Sequence, residues 1–361
     1  MEPDQDDVVS AVHAAFDVSG FERAEFSLEF RIEDAEFKEK FVALARRLEA
    51  WGYVCRLEES GGARYVIVQK FVREEGRAWL SSPWIPRLLF AAVISLVMID
   101  GYYRAAGTNR VVDIGDPLSV AAVYTASLLG ILGVHELGHI MAARFHGLRT
   151  SWPYFIPGIP VLGIPTFGAF IQSRGLTINR EILFDVAIAG PVAGLAVAVA
   201  VSIYGAYGAP TVDSSMLDDE ALKRWEQGKP LLMTASLALF GKGDGDVVVL
   251  TPVMFAAWIG FLITFLNMLP AWQLDGGHMA RTLLRPSLHR YSTYGSVAVL
   301  VLLNYWLMAV LILVMSMRNP SASTLDNVSP LPRNRKAAYA GIVALAVLCA
   351  PIPAELPIPG I

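Results

Sequence analysis

Cysteine is nearly absent: the 361 residues hold two, Cys55 in a polar stretch and Cys349 in an apolar one. That excludes a disulfide framework and a cysteine-based metal knuckle. Charge is scarce too, at 17% of residues against 54% hydrophobic, with a mean hydropathy of +0.47. An ordinary soluble domain carries about 25% charged residues, so the composition is that of a membrane protein. There is no basic excess, the formal net charge being -4 and the pI about 5.9. Nor does any Lys/Arg stripe interleaved with aromatics run along the chain, which excludes nucleic acid as a partner. The opening MEPDQDDVVS is acidic and has no basic segment ahead of an apolar core, so insertion into a bilayer is expected to use an internal span.

Only residues 1 to 80 have the composition of a soluble domain. EFSLEFRIE alternates like a strand, DAEFKEKFVALARRLEAWG has helical spacing after an Asp cap, and YVCRLEE and ARYVIVQKF are strand-like around the turn SGG. The expectation is a small α+β domain in β-α-β-β order, followed by a membrane domain over 81–361.

Six apolar runs follow, each to be measured against the roughly 20 helical residues that cross a hydrocarbon core of about 30 Å. They are expected at Leu88–Tyr103, Pro117–Phe145, Ile182–Gly208, Val247–Leu274, Tyr291–Met317 and Ala337–Ala354. The predicted fold is therefore a polytopic α-helical membrane protein with about six spans. Between the second and third runs, SWPYFIPGIPVLGIPTFGAFIQSRG is too rich in Pro and Gly for a helix and too apolar for a solvated loop. Such backbone survives at membrane depth only where protein or a wet cavity covers it. Arg77, Arg87, Arg144, Arg149, Arg174, Arg180, Arg281, Arg285 and Arg290 place one face, with the N-terminal domain, in the cytoplasm of a cell-membrane protein. Arg104, Arg110, Arg318, Arg333, Arg335 and Lys336 vote for the other face.

The second run carries His135-Glu136-Leu137-Gly138-His139. Residues four apart share a helix face, so both imidazoles can bind one Zn²⁺ while the adjacent carboxylate reaches a water that the metal acidifies. Ionisable groups in a span are costly and mark function. A catalytic zinc needs a third protein ligand, and no cysteine fits. In FLNMLPAWQLDGGHMAR, Asp275 closes an otherwise uncharged run before a Gly pair and is the best-placed acid; His278 is its rival, set against placement on the wet face of an interfacial helix. His146 reads as a solvated helix end, and AGPVAG, Ala189 to Gly194, as a small-residue packing seam without chemistry.

HELGH followed by NMLPAWQLDGG resembles the site-2 proteases, intramembrane zinc metalloproteases that cut transmembrane segments of other membrane proteins. TFGAFIQSRG, NREILFDVAIAGPVAG and NVSPLPRNRK look like the archaeal and bacterial branch without a PDZ domain, and the likeness covers about residues 88–355. It implies one zinc per chain held by His135, His139 and Asp275, with Glu136 as the catalytic glutamate. Asn267 would hold the substrate or stabilise the oxyanion. A membrane-inserted hairpin over Gly163–Ser173 would offer Phe167, Gly168, Ala169, Phe170 and Ile171 as an edge strand to an unwound substrate. The 38-residue loop from Ala209 to Asp246 is too short for a PDZ domain, which leaves the N-terminal domain to select substrates. Two readings of other classes stand beside this one. An inactive scaffold of the same fold is disfavoured by the retained Glu136, and a transporter by the lack of an internal repeat.

Overall fold

The computed structural model describes residues 4–24, 26–71, 82, 84–148, 150–159, 164–170, 177–212, 228–242, 247–318 and 324–352. The chain opens with α1 (Gln5–Ala15), β1 (Val18–Arg23), β2 (Leu28–Ile32), α2 (Lys38–Ala50), β3 (Tyr53–Ser60) and β4 (Ala63–Lys70). The strands form one antiparallel sheet in the order β1-β2-β4-β3. The expected β-α-β-β unit is thus extended by α1 and β1. α1 is started by a reciprocal cap, Asp4 accepting from Asp6 and Asp7 amides while the Asp7 carboxylate accepts from the Asp4 amide. The expected Asp cap of α2 is not found: Phe37 stands at its N-cap without a side-chain bond. Asp34 instead accepts from the Asp17 amide at 2.7 Å and pairs with Lys40, tying the start of β1 to the β2–α2 connection.

Phe30, Phe41, Leu48, Leu57 and Val66 are fully buried in this unit, and their apolar cluster also takes in Ile178, Ile182 and Leu325 from the helical body. The two regions therefore share a core. Around it, Leu57 N donates to Leu325 O at 2.8 Å on the outer edge of β3, Lys38 pairs with Glu181, and Arg46 Nη2 donates to His146 O at 3.0 Å.

The body consists of α3 (Trp84–Thr108), α4 (Pro117–Phe145), β5 (Tyr154–Ile159), β6 (Ile164–Phe170), α5 (Arg180–Gly208), β7 (Thr211–Val212), α6 (Leu231–Ala238), β8 (Val247–Val248), α7 (Pro252–Met268), α8 (Asp275–Leu283), α9 (Pro286–Leu302), α10 (Trp306–Arg318) and α11 (Arg333–Cys349). Three of these are long and apolar enough to cross a membrane: α3 with 25 residues, and α4 and α5 with 29 each. α4 begins where the sequence predicts, with Pro117 in its first turn and Asp116 accepting from Ser119 N at 2.8 Å. α3 is pinned to α4 by a buried group: Asp100, 5% exposed, accepts from Tyr124 Oη and from Arg104 Nε, both at 2.7 Å.

Three expected spans differ, the sixth being the 17-residue α11, which starts at Arg333 and ends at Cys349. The fourth is the 17-residue α7, ended at Leu269 ahead of Pro270. The fifth is not one helix. α9 stops in a Schellman turn, with Asn304 at φ 68°, Tyr305 N donating to Leu300 O at 2.8 Å and Asn304 N to Val301 O at 3.0 Å. α10 then packs back along α9 as a helical hairpin. The chain accordingly returns to its starting face. There, Leu325 and Asp326 amides donate to Thr177 O and Ile178 O, and Arg335 grips Asp185 with two bonds of 2.7 Å. This overturns the opposing vote of Arg333, Arg335 and Lys336, which stand with Arg180 on the face that carries the N-terminal sheet.

The irregular segment forms the hairpin β5–β6, longer at its start than the expected 163–173. Its register slips between Phe155 and Pro157, where Gly168 sits at φ 92° and Thr166 Oγ1 bridges to Ile156 O at 3.0 Å. The expected edge strand is therefore bulged in its middle. Ile171 and residues 160–163 and 171–176 lie outside the described residues.

Candidate metal centre

α4 and α5 cross at three glycines. A Cβ on Gly138 would fall 2.5 Å from Ala189 O, and one on Gly194 2.9 Å from His135 Cβ. A Cβ on Gly190 would fall 2.5 Å from both Cδ2 and Cε1 of His139 and closer still to its Nε2. The AGPVAG stretch, read from sequence as packing alone, is thus the floor under the two imidazoles. Its signal was the small-residue spacing; what the sequence could not show is that the residues across the seam are His135 and His139. One carbonyl of the same helix orients the site: Val186 O lies 2.8 Å from His139 Nδ1. A carbonyl only accepts, so Nδ1 carries the proton and Nε2 presents its lone pair inward.

Asp275 arrives from the other side, in the first turn of α8, where a carboxylate suits the positive end of the helix. The preceding loop is folded tightly beneath it. A Cβ on Gly276 would lie 2.5 Å from Leu269 O, and one on Gly277 2.5 Å from Trp272 O. Only glycine fits at either place, and Trp272 takes φ 45° to close the loop.

The three ligand atoms converge. Asp275 Oδ2 lies 3.3 Å from both Nε2 atoms, which are 3.1 Å from each other. Four-coordinate Zn²⁺ with bonds of about 2.0–2.1 Å sets neighbouring ligands about 3.3 Å apart, so the donor set has the right chemistry and the right edge lengths. Among the described residues this is the one group of three or more His, Cys, Asp or Glu side chains placed to hold a metal ion. Glu136 is buried, 7% exposed, and directly follows His135 on α4. Asn267, in the last turn of α7, brings Nδ2 to 3.5 Å from His135 Nε2. His278, the rival ligand, is outside the group. His146 caps α4 and bonds Asp185 Oδ2 at 3.1 Å, so it too is occupied elsewhere. β6, with Gly168 and Ala169, packs beside α3 and α4; the side chains of Phe167 and Phe170 lie outside the described residues.

An HExxH helix closed by a distant aspartate, seated among long apolar helices, is the ligand pattern of the membrane-embedded metallopeptidases. The chain belongs to peptidase family M50, whose model matches residues 123–311. It is 34% identical over 154 residues to the probable zinc metalloprotease EGY2, chloroplastic, of Oryza sativa subsp. indica, covering 42% of this chain and 27% of that protein. Against EGY1 of Arabidopsis thaliana the identity is 37% over 152 residues, 42% of this chain and 27% of that one. Against EGY1 of Oryza sativa subsp. japonica it is 32% over 233 residues, 61% and 39% respectively. The matches thus span about a quarter to two-fifths of those relatives. No solved structure matches. Relatives named chloroplastic lend no support to the cell membrane expected from the sequence; the helices support a membrane protein.

Proposed function

We propose that the protein is an intramembrane zinc endopeptidase that hydrolyses a peptide bond within the transmembrane segment of a membrane-protein substrate. The observation that carries the reading is the convergence of His135, His139 and Asp275 at 3.1–3.3 Å beside a buried Glu136. Zinc held there would supply Lewis acidity to the scissile carbonyl and acidify the attacking water. Glu136 lies about 100° around α4 from His135, beside the imidazole pair, and takes the proton of that water and returns it to the leaving amine. Asn267 offers an amide donor at the edge of the site for the oxyanion. Ala169 and its neighbours in β6 receive the substrate as an extended strand, since a helical substrate has its backbone groups already paired.

α3, α4, α5, α7 and α11 cross the bilayer in this reading, with α9–α10 as a re-entrant hairpin. The N-terminal sheet shares the face of Arg180, Arg333, Arg335 and Lys336, the cytoplasmic one by the positive-inside rule. Docked at the end of the metal-bearing helix, it selects substrates.

Glu136→Gln tests the mechanism. It keeps shape and hydrogen-bonding reach but cannot take the proton, so zinc content stays at one per chain while cleavage of a transmembrane substrate falls by about 10²- to 10⁴-fold. Wild-type turnover in the variant removes Glu136 as the base, and a wild-type protein that binds zinc but cleaves nothing points to an inactive scaffold.

A further inference from the structure

α9 begins only three residues after α8 ends, and one of its faces lies against the loop that delivers Asp275. Three of its side chains, at positions i, i+3 and i+4, bond that loop or the first turn of α8. His289 Nε2 stands 3.0 Å from Gly277 O. A carbonyl can only accept, so this nitrogen is protonated and donates. Ser292 Oγ donates to Pro270 O at 2.8 Å, a bond shared with His289 O at the same distance. Thr293 Oγ1 accepts from Trp272 N at 3.0 Å while its own proton goes to His289 O at 3.0 Å. His289 and Thr293 are buried, each 3% exposed, and Ser292 is half-buried.

These contacts meet the loop and the helix start at places of unusual backbone. Pro270 has no amide to give, Trp272 carries a left-handed φ, and Gly276 and Gly277 have no side chains with which to pack. α8 has nine residues, and His278 N donates to Leu274 O at 2.8 Å across its first turn. The glycines let the loop fold under Asp275; within it Ala271 N donates to Leu269 O at 2.7 Å and Leu274 N to Ala271 O at 3.1 Å, and α9 adds its three side-chain bonds from outside.

We infer that His289, Ser292 and Thr293 are positioning residues: a clamp from α9 that holds the 270–274 loop and the first turn of α8 in place, so that Asp275 reaches the two imidazoles within ligand distance. The proposal rests on the reading of His135, His139 and Asp275 as metal ligands. Its consequence is that the α9–α10 hairpin acts on metal retention through backbone groups, without a ligand of its own.

The test uses full-length protein in detergent, stripped and reloaded with Co²⁺, whose visible absorption reports ligand geometry. Ser292→Ala and Thr293→Val change one polar atom each, His289→Ala removes one clamp point, and His289→Gln restores a donor at that point. The rate of metal loss to a chelator rises about tenfold in Thr293→Val and His289→Ala, the lower end of what removing a ligand's support costs. The Co²⁺ spectrum shifts in the same variants, and His289→Gln returns both readouts towards wild type. Variants that melt earlier but keep the wild-type spectrum and off-rate overturn the clamp, as does failure of the Gln rescue. If the wild-type protein takes up no Co²⁺ at all, the ligand assignment has failed rather than the clamp.

Discussion

Gly190→Ala isolates the seam under the metal pair. In an exposed helix the change adds up to about 1 kcal/mol of helix stability. Here the added Cβ meets His139 Cδ2 and Cε1 at 2.5 Å, about 0.9 Å inside ordinary van der Waals contact, and Nε2 more closely. The ring cannot swing aside freely, because Nδ1 is held by Val186 O at 2.8 Å and α4 lies against α5 along the seam. Forced overpacking costs about 1–3 kcal/mol. The larger effect is on geometry: metal ligands tolerate displacements of about 0.2 Å, so a shift of this size takes His139 out of the set. The expected outcome is a fold that survives, zinc content well below one per chain, and cleavage down by more than about 10²-fold. Gly194→Ala gives the graded comparison. Its Cβ falls 2.9 Å from His135 Cβ, which also forces the helices to shift, but 3.2 Å from the nearest ring nitrogen, so zinc loss is expected to be smaller than in Gly190→Ala. Metal content and cleavage rate, measured on the same purified samples, decide the matter. Gly190→Ala with full zinc and normal turnover would refute the close approach on which the site is built.

The buried polar group between α3 and α4 makes an ordering prediction. Arg104→Ala leaves Asp100 buried without its cation and is expected to cost about 3–5 kcal/mol, whereas Tyr124→Phe removes one hydrogen bond to a charged acceptor, about 1.5–3 kcal/mol; denaturant unfolding in detergent measures both, and a reversed order counts against the pairing. In the N-terminal sheet, Cys55 is 1% exposed and burial pushes its thiol up to about 12. At pH 8 it is therefore protonated and shielded, so pulsed alkylation labels it only as that unit opens; stoichiometric labelling of the native protein would contradict its place in the core.

Legibility from sequence followed the physics of each signal. α4 was readable from Pro117 to Phe145 because length, apolarity, an Asp-Pro start and the HExxH spacing all act locally. Asp275 stood out as the acid ending an uncharged run, and the glycines after it as a place of close approach. The break at Asn304 was hidden inside a hydropathy average, since one residue in the left-handed region costs an apolar window almost nothing. α1 was passed over because its cap is Asp4 with Asp7 in place of the usual Ser/Thr and Glu. The α2 start was misplaced because Asp34 looks like a cap until Asp17 and Lys40 are seen to claim it. Gly190 and Gly194 carried a clear packing signal, but a seam names its partner only when the opposing helix is in place.

The turn at Asn304 also sets the parity of the chain. A hairpin contributes no net crossing, so the protein is back beside its N-terminal sheet at Asp326, and α11 then runs from Arg335 there towards α6 and the end of α5. In the topology proposed above, in which α11 crosses the bilayer, Ala350 emerges on the opposite face from the N-terminal sheet. A partner bound around Ala350 and one bound to the sheet would sit in different compartments, so information from both aqueous phases could reach one hydrolytic centre without the two partners ever meeting.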